Sequence, residues 1–509
     1  MFKSLIKNSL RINYFCTALL IFQFSSAISF AQNKYESRLQ SGIDALYNFE
    51  FFKADEIFDQ LISDSPDNPA GYHYKSVSYL WLYLDSKNEI DLDSFLTYSD
   101  MVIQKSEKLI EDEKFGSFEF FLIGSSYSYR ALAYARSEDY LTALWATKNF
   151  YSSLTRAVEL DSLFYDAYLG LGIYNLAASQ TAPAWQWALE LTGISGDKDL
   201  GFRYLNLCAN KGEWSKTEAQ FYLAQLLSEF YLDLNKSELL LQSLNYKYPG
   251  NLLFKLSLAD LYIKRVELKN GEKKLREITN SPDSLFLQIK CYAGFSLGNI
   301  FFFQNNFDSA ATYYSRFLET SSDNHFKGIA ALRLGLCHSF NNENELATKY
   351  FELSAEGNPD LEEDQFARVK GEAYLETSPD SAELLLVYSN NMIRSGKYKD
   401  AIDHLEEILS NEKISENIKA AALLAVSEAS YFVNKFDQSL TYAITAFKLE
   451  KTEPWIKPFA CYFAAKASIK LKNILDANLF IRYANNYSDY LYENKLKNLL
   501  YSLTYSIKK

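Results

Sequence analysis

Leu297-Gly298-Asn299-Ile300-Phe301, followed by Phe307 and then by Ala310 twelve residues beyond Gly298, is the stretch from which the fold can be read. Two small residues a dozen apart, with an aromatic residue three before the second, suit two antiparallel helices joined by a short turn. The helices can approach closely only where both present small side chains. Tyr314 and Phe317 then fall four and seven residues after Ala310, on the face that a neighbouring pair would cover. Gln304-Asn305-Asn306 between the two segments supplies the turn chemistry.

The same frame recurs along the chain. It fits Gly335 with Ala347, Phe351 and Pro359; Ser389 with Tyr398, Ala401, Leu405 and Ile408; Ser427 with Phe436, Ser439 and Ala446; and Ala465 with Ile474, Ala477 and Ile481. Near the amino terminus it appears as Gly42, Phe51, Ala54, Phe58, Leu61 and Pro66. Weaker copies are Ala131 with Tyr140 and Ala143, and Gln225 with Ser237, Leu241, Leu244 and Pro249. The period drifts from 37 residues (Ala310 to Ala347) to 54 (Ala347 to Ala401) and back to 38 (Ala401 to Ser439). The long step predicts an extra segment near Asp360 to Asp380, either a spare helix or a protruding loop. All nine prolines can be placed in loops or first helical turns, as an all-helical chain requires. Nineteen glycines are too few for many short strands joined by tight turns.

This arrangement resembles the tetratricopeptide repeat, whose helix-turn-helix units stack into a right-handed superhelix. The likeness is strong over 291–360 and 381–485, good over 36–69, and degenerate between about 70 and 290. It implies an all-α, right-handed α–α superhelix, a solenoid of about eight to twelve helical hairpins, bent into two arcs near Pro282. That divides the chain into 1–31, a first array over 32–282 and a second over 283–509. Leu169-Gly170-Leu171-Gly172-Ile173-Tyr174-Asn175-Leu176 and Gly193-Ile194-Ser195-Gly196-Asp197-Lys198-Asp199-Leu200-Gly201 are similar to a stretch of the tetratricopeptide repeat protein thirty-nine family, a likeness that refines the fold more than the function.

Lys3, Lys7 and Arg11 precede an apolar run from Tyr14 to Phe22 and two small-x-small sites ending at Ala27 and Ala31. A basic front, an apolar core of about 9 residues and small residues make a secretory signal, far short of the roughly 20 needed to span a bilayer. Cleavage is expected before Gln32, leaving an exported chain with no membrane span, in the periplasm or at the outer membrane if the host has two membranes. Cys208, Cys291, Cys337 and Cys461 remain; none forms a CxxC pair, and each sits in an apolar helical context. Buried free thiols are therefore expected rather than disulfides.

With 64 Asp and Glu against 52 Lys and Arg, the chain carries a net charge of −12, so a nucleic-acid partner is not expected. No HExxH, Gly-x-Ser-x-Gly or calcium-loop spacing occurs. Gly193-x-x-Gly196 lacks the Gly-Lys-Ser/Thr ending of a phosphate loop and reads as a helix stop, with Asp197 capping the next helix. Lys216-Thr217-Glu218 reads as a helix start, Asp64 to Asn68 as a polar turn, and the acidic runs 111–113 and 362–364 as solvated helix faces or ends. His338 beside Cys337 points elsewhere on a helix and makes no catalytic pair. No catalytic, metal or cofactor residue is nominated, and the expected activity is non-enzymatic.

The 37 Phe, 38 Tyr and 6 Trp have two readings: repeat cores, or rings on the inner surface that grip a peptide or a sugar. In the repeat family the first helix of each hairpin lines the inner groove, at positions one, four and five after its small residue. Carried over, the candidate partner-binding residues are Asn299, Phe302 and Phe303; Asn390, Ile393 and Arg394; and Lys466, Ile469 and Lys470. Some members clamp a partner's terminal carboxylate with a lysine three residues before the small residue. Phe295, Leu332, Leu386, Leu424 and Tyr462 stand there instead, so no such clamp is expected. The reading is an exported scaffold binding a protein or peptide partner, in cell-envelope assembly or secretion; the alternative is an exported carbohydrate or small-ligand binder.

Overall fold

The computed structural model describes residues 34–179, 196–282, 285–449 and 451–508. The amino-terminal address, Pro183 and Gly193 lie outside them. Among the described residues no strand occurs, and helices follow one another in antiparallel pairs. The fold is an all-α tetratricopeptide-type solenoid.

The described residues form two compact units, one of those up to Gln220 with Lys247–Asn251, the other of Phe221–Tyr246 with those from Leu252 onward. The first unit contains α1 (34–47), α2 (Phe51–Asp64), α3 (Pro69–Ser86), α4 (Glu89–Glu111), α5 (Ser117–Arg136), α6 (Tyr140–Leu160), α7 (Tyr168–Ser179), α8 (Lys198–Lys211) and the start of α9 (Lys216–Leu226). Within it, Tyr248 Oη donates to Asp44 at 2.7 Å and the Asn251 amide to the Tyr47 carbonyl at 2.7 Å.

The second unit continues through α10 (Leu234–Lys247), α11 (Leu252–Lys264), α12 (Leu268–Thr279), α13 (Leu287–Phe303), α14 (Phe307–Thr320), α15 (Lys327–Phe340), α16 (Asn344–Leu353) and α17 (Glu362–Glu376). It then runs through α18 (Ser381–Arg394), α19 (Tyr398–Ser410), α20 (Glu416–Phe432), α21 (Phe436–Lys448), α22 (Ile456–Lys470), α23 (Ile474–Asn485) and α24 (Glu493–Lys508). Of the two forms open to the extra segment of the 54-residue step, spare helix or protruding loop, the chain adopts the helix, α17.

The hairpin crossings explain the repeat spacing. A Cβ on Gly298 would lie 2.8 Å from the Tyr314 ring, one on Gly335 2.6 Å from the Phe351 ring, and one on Gly42 2.5 Å from Phe58. The small residue of the first helix thus makes room for the aromatic four residues after the second small residue. Tyr314 and Phe58 are fully buried in consequence, each stabilising its hairpin by roughly 2–3 kcal/mol. Where serines replace glycine and alanine, Ser427 Oγ donates to the Ser439 carbonyl at 2.8 Å.

One repeat departs from the expected register. Ser237 meets not Gln225 but Ala224, whose carbonyl accepts its hydroxyl at 2.8 Å. Leu227–Tyr231 forms a π-turn, which inserts one residue relative to α-helix and shifts the pair by one.

The hairpin turns share a backbone device. Phe49, Glu138, Val266, Asn305, Asn342, Asn434 and Lys472 all have positive φ, as does Gly396, and each stands two residues before the second helix of its pair. At Asn305 the motif is explicit: Asn305 N donates to Phe302 O at 2.9 Å and Asn306 N to Phe301 O at 2.9 Å. A left-handed residue closes the first helix and reverses the chain.

The cysteines are free. Cys208, Cys337 and Cys461 are buried as expected, and burial raises the Cys461 thiol to about 12. Cys291 is only half-buried, its sulfur beside Thr320.

Candidate partner-binding surface

The residues expected in the groove fall into two places in the second unit. On α13, Asn299 Oδ1 accepts from Tyr314 Oη at 2.8 Å and from the Arg333 guanidinium of α15. That guanidinium lies over the rings of Phe302 and Phe303, 5.7 and 5.5 Å from their centroids. Phe302 is a core residue rather than a groove residue. It is buried against Phe307 and Tyr314, centroids 5.8 and 6.3 Å away. Ile393 is likewise buried in the core.

The second place is a wall built by α18, α20 and α22. Asn390 and Arg394 are exposed, and Arg394 approaches Glu428 of α20 at 3.6 Å, an open pair of small energetic weight. Lys466 Nζ lies 4.3, 5.0, 5.6 and 5.8 Å from the ring centroids of Tyr431, Phe432, Tyr462 and Phe463. Burial among these rings lowers the Lys466 amine to about 8, against the attraction of Glu428. Lys470 is exposed one turn further on. Phe432 stacks on Tyr398 at 4.9 Å. The positional rule applied at Gly298, Ser389 and Ala465 also selects Glu428, Tyr431 and Phe432 when counted from Ser427, so these wall residues had a signal in the sequence.

Helix α24 is the feature that spacing did not foretell. Its first-turn amides, Asn494 N and Lys495 N, donate to the Glu362 carboxylate of α17 at 2.8 and 3.2 Å. Tyr492 packs on Phe366 at 5.5 Å. At the other end Ser502 Oγ donates to the Tyr231 carbonyl at 3.1 Å, and Tyr501 and Tyr505 contact the Tyr231 ring. Leu496 and Leu500 are buried in a cluster with Tyr462, Phe463 and Ala464 of α22.

The acidic run 362–364 is a helix end, the first turn of α17, but not one left to solvent. Asp364 is buried, and its carboxylate accepts from the amides of Phe326, Ile329 and Asn358, each at 2.9 Å, capping the entry to α15. The first unit repeats the device: buried Asp166 accepts from Glu213, Trp214 and Ser215 at 3.0, 2.8 and 2.7 Å, just ahead of α9. Asp197 caps α8 through Leu200 N at 2.9 Å, and α9 begins at Lys216, both as expected.

Also in the first unit, Glu218 accepts from Tyr129 Oη at 2.7 Å and from Tyr47; burial raises its carboxyl and these hydroxyls oppose the rise. Among the described residues no group of three or more His, Cys, Asp or Glu side chains is placed to hold a metal ion, and no helix is long and apolar enough to cross a membrane.

Among solved structures the chain is similar to the P58(IPK) TPR domain at 12% identity, covering 93% of this chain and 98% of that one with a TM-score of 0.21. It is similar to the APC/C hetero-tetramer Cut9–Hcn1 at 14%, covering 90% and 94% with a TM-score of 0.29. For yeast Tom70 the values are 12%, 94%, 96% and 0.24. No curated protein matches. A family model described as Iml2/Tetratricopeptide repeat protein 39 matches residues 93–358, more than half of the chain, and the chain belongs to that family.

Proposed function

We propose that this chain is an exported, non-enzymatic scaffold that holds a protein or peptide partner on the inner wall of its second unit, in cell-envelope assembly or secretion. The helical-repeat family supports protein binding in general. The observation that carries the finer reading is Lys466. Its ammonium is cradled by four rings, and no carboxylate pairs with it among the described residues; Glu428, the nearby acid, is turned to Arg394. A cation that has already given up part of its water attracts a carboxylate through a lower effective dielectric than a surface lysine does, so the wall suits an acidic segment of a partner. Export rests on Lys3, Lys7, Arg11 and the apolar run that follows them.

Crosslinking and affinity capture from envelope extract test the reading. The expected result is a retained protein that is lost when Lys466 and Lys470 are both changed to Ala; identical capture by that variant overturns the wall assignment. Export is checked by amino-terminal sequencing of the mature chain, with Gln32 expected first.

A further inference from the structure

Helix α23, the second helix of its hairpin, is apolar on a face that its counterparts keep polar. Counted from the small crossing residue, the places two before, two after and six after hold Lys399, Asp403 and Glu407 in α19, and Asp437, Thr441 and Thr445 in α21. All six are exposed. Both helices have a further hairpin behind them, so these places stay open to solvent whether or not another repeat follows. In α23 the same places hold Leu475, Leu479 and Tyr483, which are 84%, 37% and 42% exposed.

Spacing by four sets these three side chains in one ridge along the helix. The Tyr483 ring is steadied by stacking on Phe447 of α21, centroids 6.3 Å and planes 18° apart. Asp476 and Arg482, both exposed, flank the ridge on opposite sides, three residues before and three after Leu479. The Asp476 carboxylate accepts from Asn473 at 2.5 Å. Among the described residues neither Asp476 nor Arg482 pairs with an opposite charge.

That placement makes the face complementary to itself. Two ridges of this kind pack side by side when their helices cross at about 50°, the commonest class of helix packing. A twofold axis laid along the ridge sets Leu479 against Leu479 of a second copy. The same operation carries Asp476 across to the flank where Arg482 stands. Every contact is then made twice, as a twofold interface requires, and both charges gain a partner.

We propose that α23 is a self-association surface, on which two copies of this chain pair ridge to ridge about a twofold axis, Asp476 of each facing Arg482 of the other. One helix face is smaller than the roughly 800 Å² per partner of a lasting complex, so the dimer is reversible and dissociates on the order of tens of micromolar. The surface is separate from the Lys466 wall and stands independently of the scaffold reading.

Sedimentation velocity of the full chain between about 5 and 300 µM, a range that brackets that dissociation constant, tests the pairing. The wild-type mass is expected to rise from monomer toward dimer, and Leu479→Glu to stay monomeric with an unchanged thermal midpoint. Asp476→Arg and Arg482→Asp should each weaken association at least fivefold, and the double swap should return it to within twofold of wild type. If a swap lowers the midpoint, Asp476→Asn and Arg482→Gln replace it, each expected to weaken association about threefold.

A wild-type chain that stays monomeric throughout, a Leu479→Glu chain that associates like wild type, or a double swap no tighter than the single ones overturns the proposal. A monomeric chain whose captured host protein is lost in Leu479→Glu gives the ridge to that protein, and overturns it too. Partner capture that depends on Lys466 and survives Leu479→Glu leaves the scaffold reading standing whichever way the dimer is decided.

Discussion

Glu362 and Asn494 lie 132 residues apart in the chain, and the carboxylate of one accepts the backbone amide of the other at 2.8 Å. With Lys495 N at 3.2 Å, one side chain satisfies two amides that the first turn of α24 would otherwise leave to water. Glu362→Ala is expected to lower the stability of the second unit by about 1 kcal/mol, with the loss concentrated in α24. Hydrogen exchange measures it: faster opening confined to 493–505 is expected, and an unchanged pattern contradicts the cap.

Asp364 should be far more costly to lose. Three amides converge on it, and the side chain is buried. Burial raises its carboxyl while those amides lower it, Ile329 most strongly. Asp364→Ala orphans three donors, Ile329 N buried and the other two part-buried, for an expected loss of about 3 kcal/mol. Asp364→Asn keeps one acceptor oxygen and should lose less. Denaturant midpoints of the two variants give the order.

The hairpin crossings predict a compensating pair. Gly335→Ala puts a methyl 2.6 Å from the Phe351 ring and 3.1 Å from the Ala347 carbonyl, which should cost about 1–3 kcal/mol through overpacking. Phe351→Leu alone opens space at the same contact. The double variant should be more stable than the sum of the two single losses predicts, as contacting residues are non-additive. Strict additivity would place the strain elsewhere.

What could be read in advance follows from where each contact lies along the chain. Gly298, Ala310 and Tyr314 sit within seventeen residues of sequence, so the spacing alone encodes the crossing. An extra segment near 360–380 was legible from the same arithmetic, though not whether it is a helix or a loop. Gln225 was misplaced by one residue because a π-turn changes the count without changing residue types. Glu362 and Asp364 looked like a solvated run because their partners are backbone amides of distant segments, and backbone leaves no mark in side-chain patterning. Asp166 carried a weak signal, a lone acid within Phe164-Tyr165-Asp166-Ala167-Tyr168. The Lys466 site was half legible: its position could be counted, but its aromatic surroundings depend on how α20 and α22 lie together.

Val266 is the residue worst suited to its backbone. It holds φ of 62° at a hairpin turn where Asn305, Asn342 and Asn434 occupy the equivalent place, and a β-branched side chain is strained there. Val266→Asn should raise the stability of the second unit by about 1 kcal/mol, read as a higher thermal midpoint. A lower midpoint would mean that the Val266 contact with the Gly396 turn outweighs the strain.

His73 makes the first unit sensitive to acid. It is buried, Nδ1 is 3.4 Å from Ser126 Oγ, and the rings of Tyr74, Tyr129 and Phe121 surround it. Burial lowers its imidazole from the ordinary 6.5 to about 3. The unfolded chain therefore takes up a proton as pH falls through 6.5, while the folded chain stays neutral until near pH 3. The contribution to stability is fully present above pH 6.5 and is lost across that window at about 1.4 kcal/mol per pH unit, or about 2 kcal/mol between pH 7 and 5. Glu218 has a raised carboxyl and acts with the opposite sign, so the His73 share is isolated by comparison with His73→Phe. That variant should lose less stability than wild type between pH 7 and 5, measured by urea unfolding at each pH. Parallel curves for the two proteins would show that His73 is protonated in the folded state.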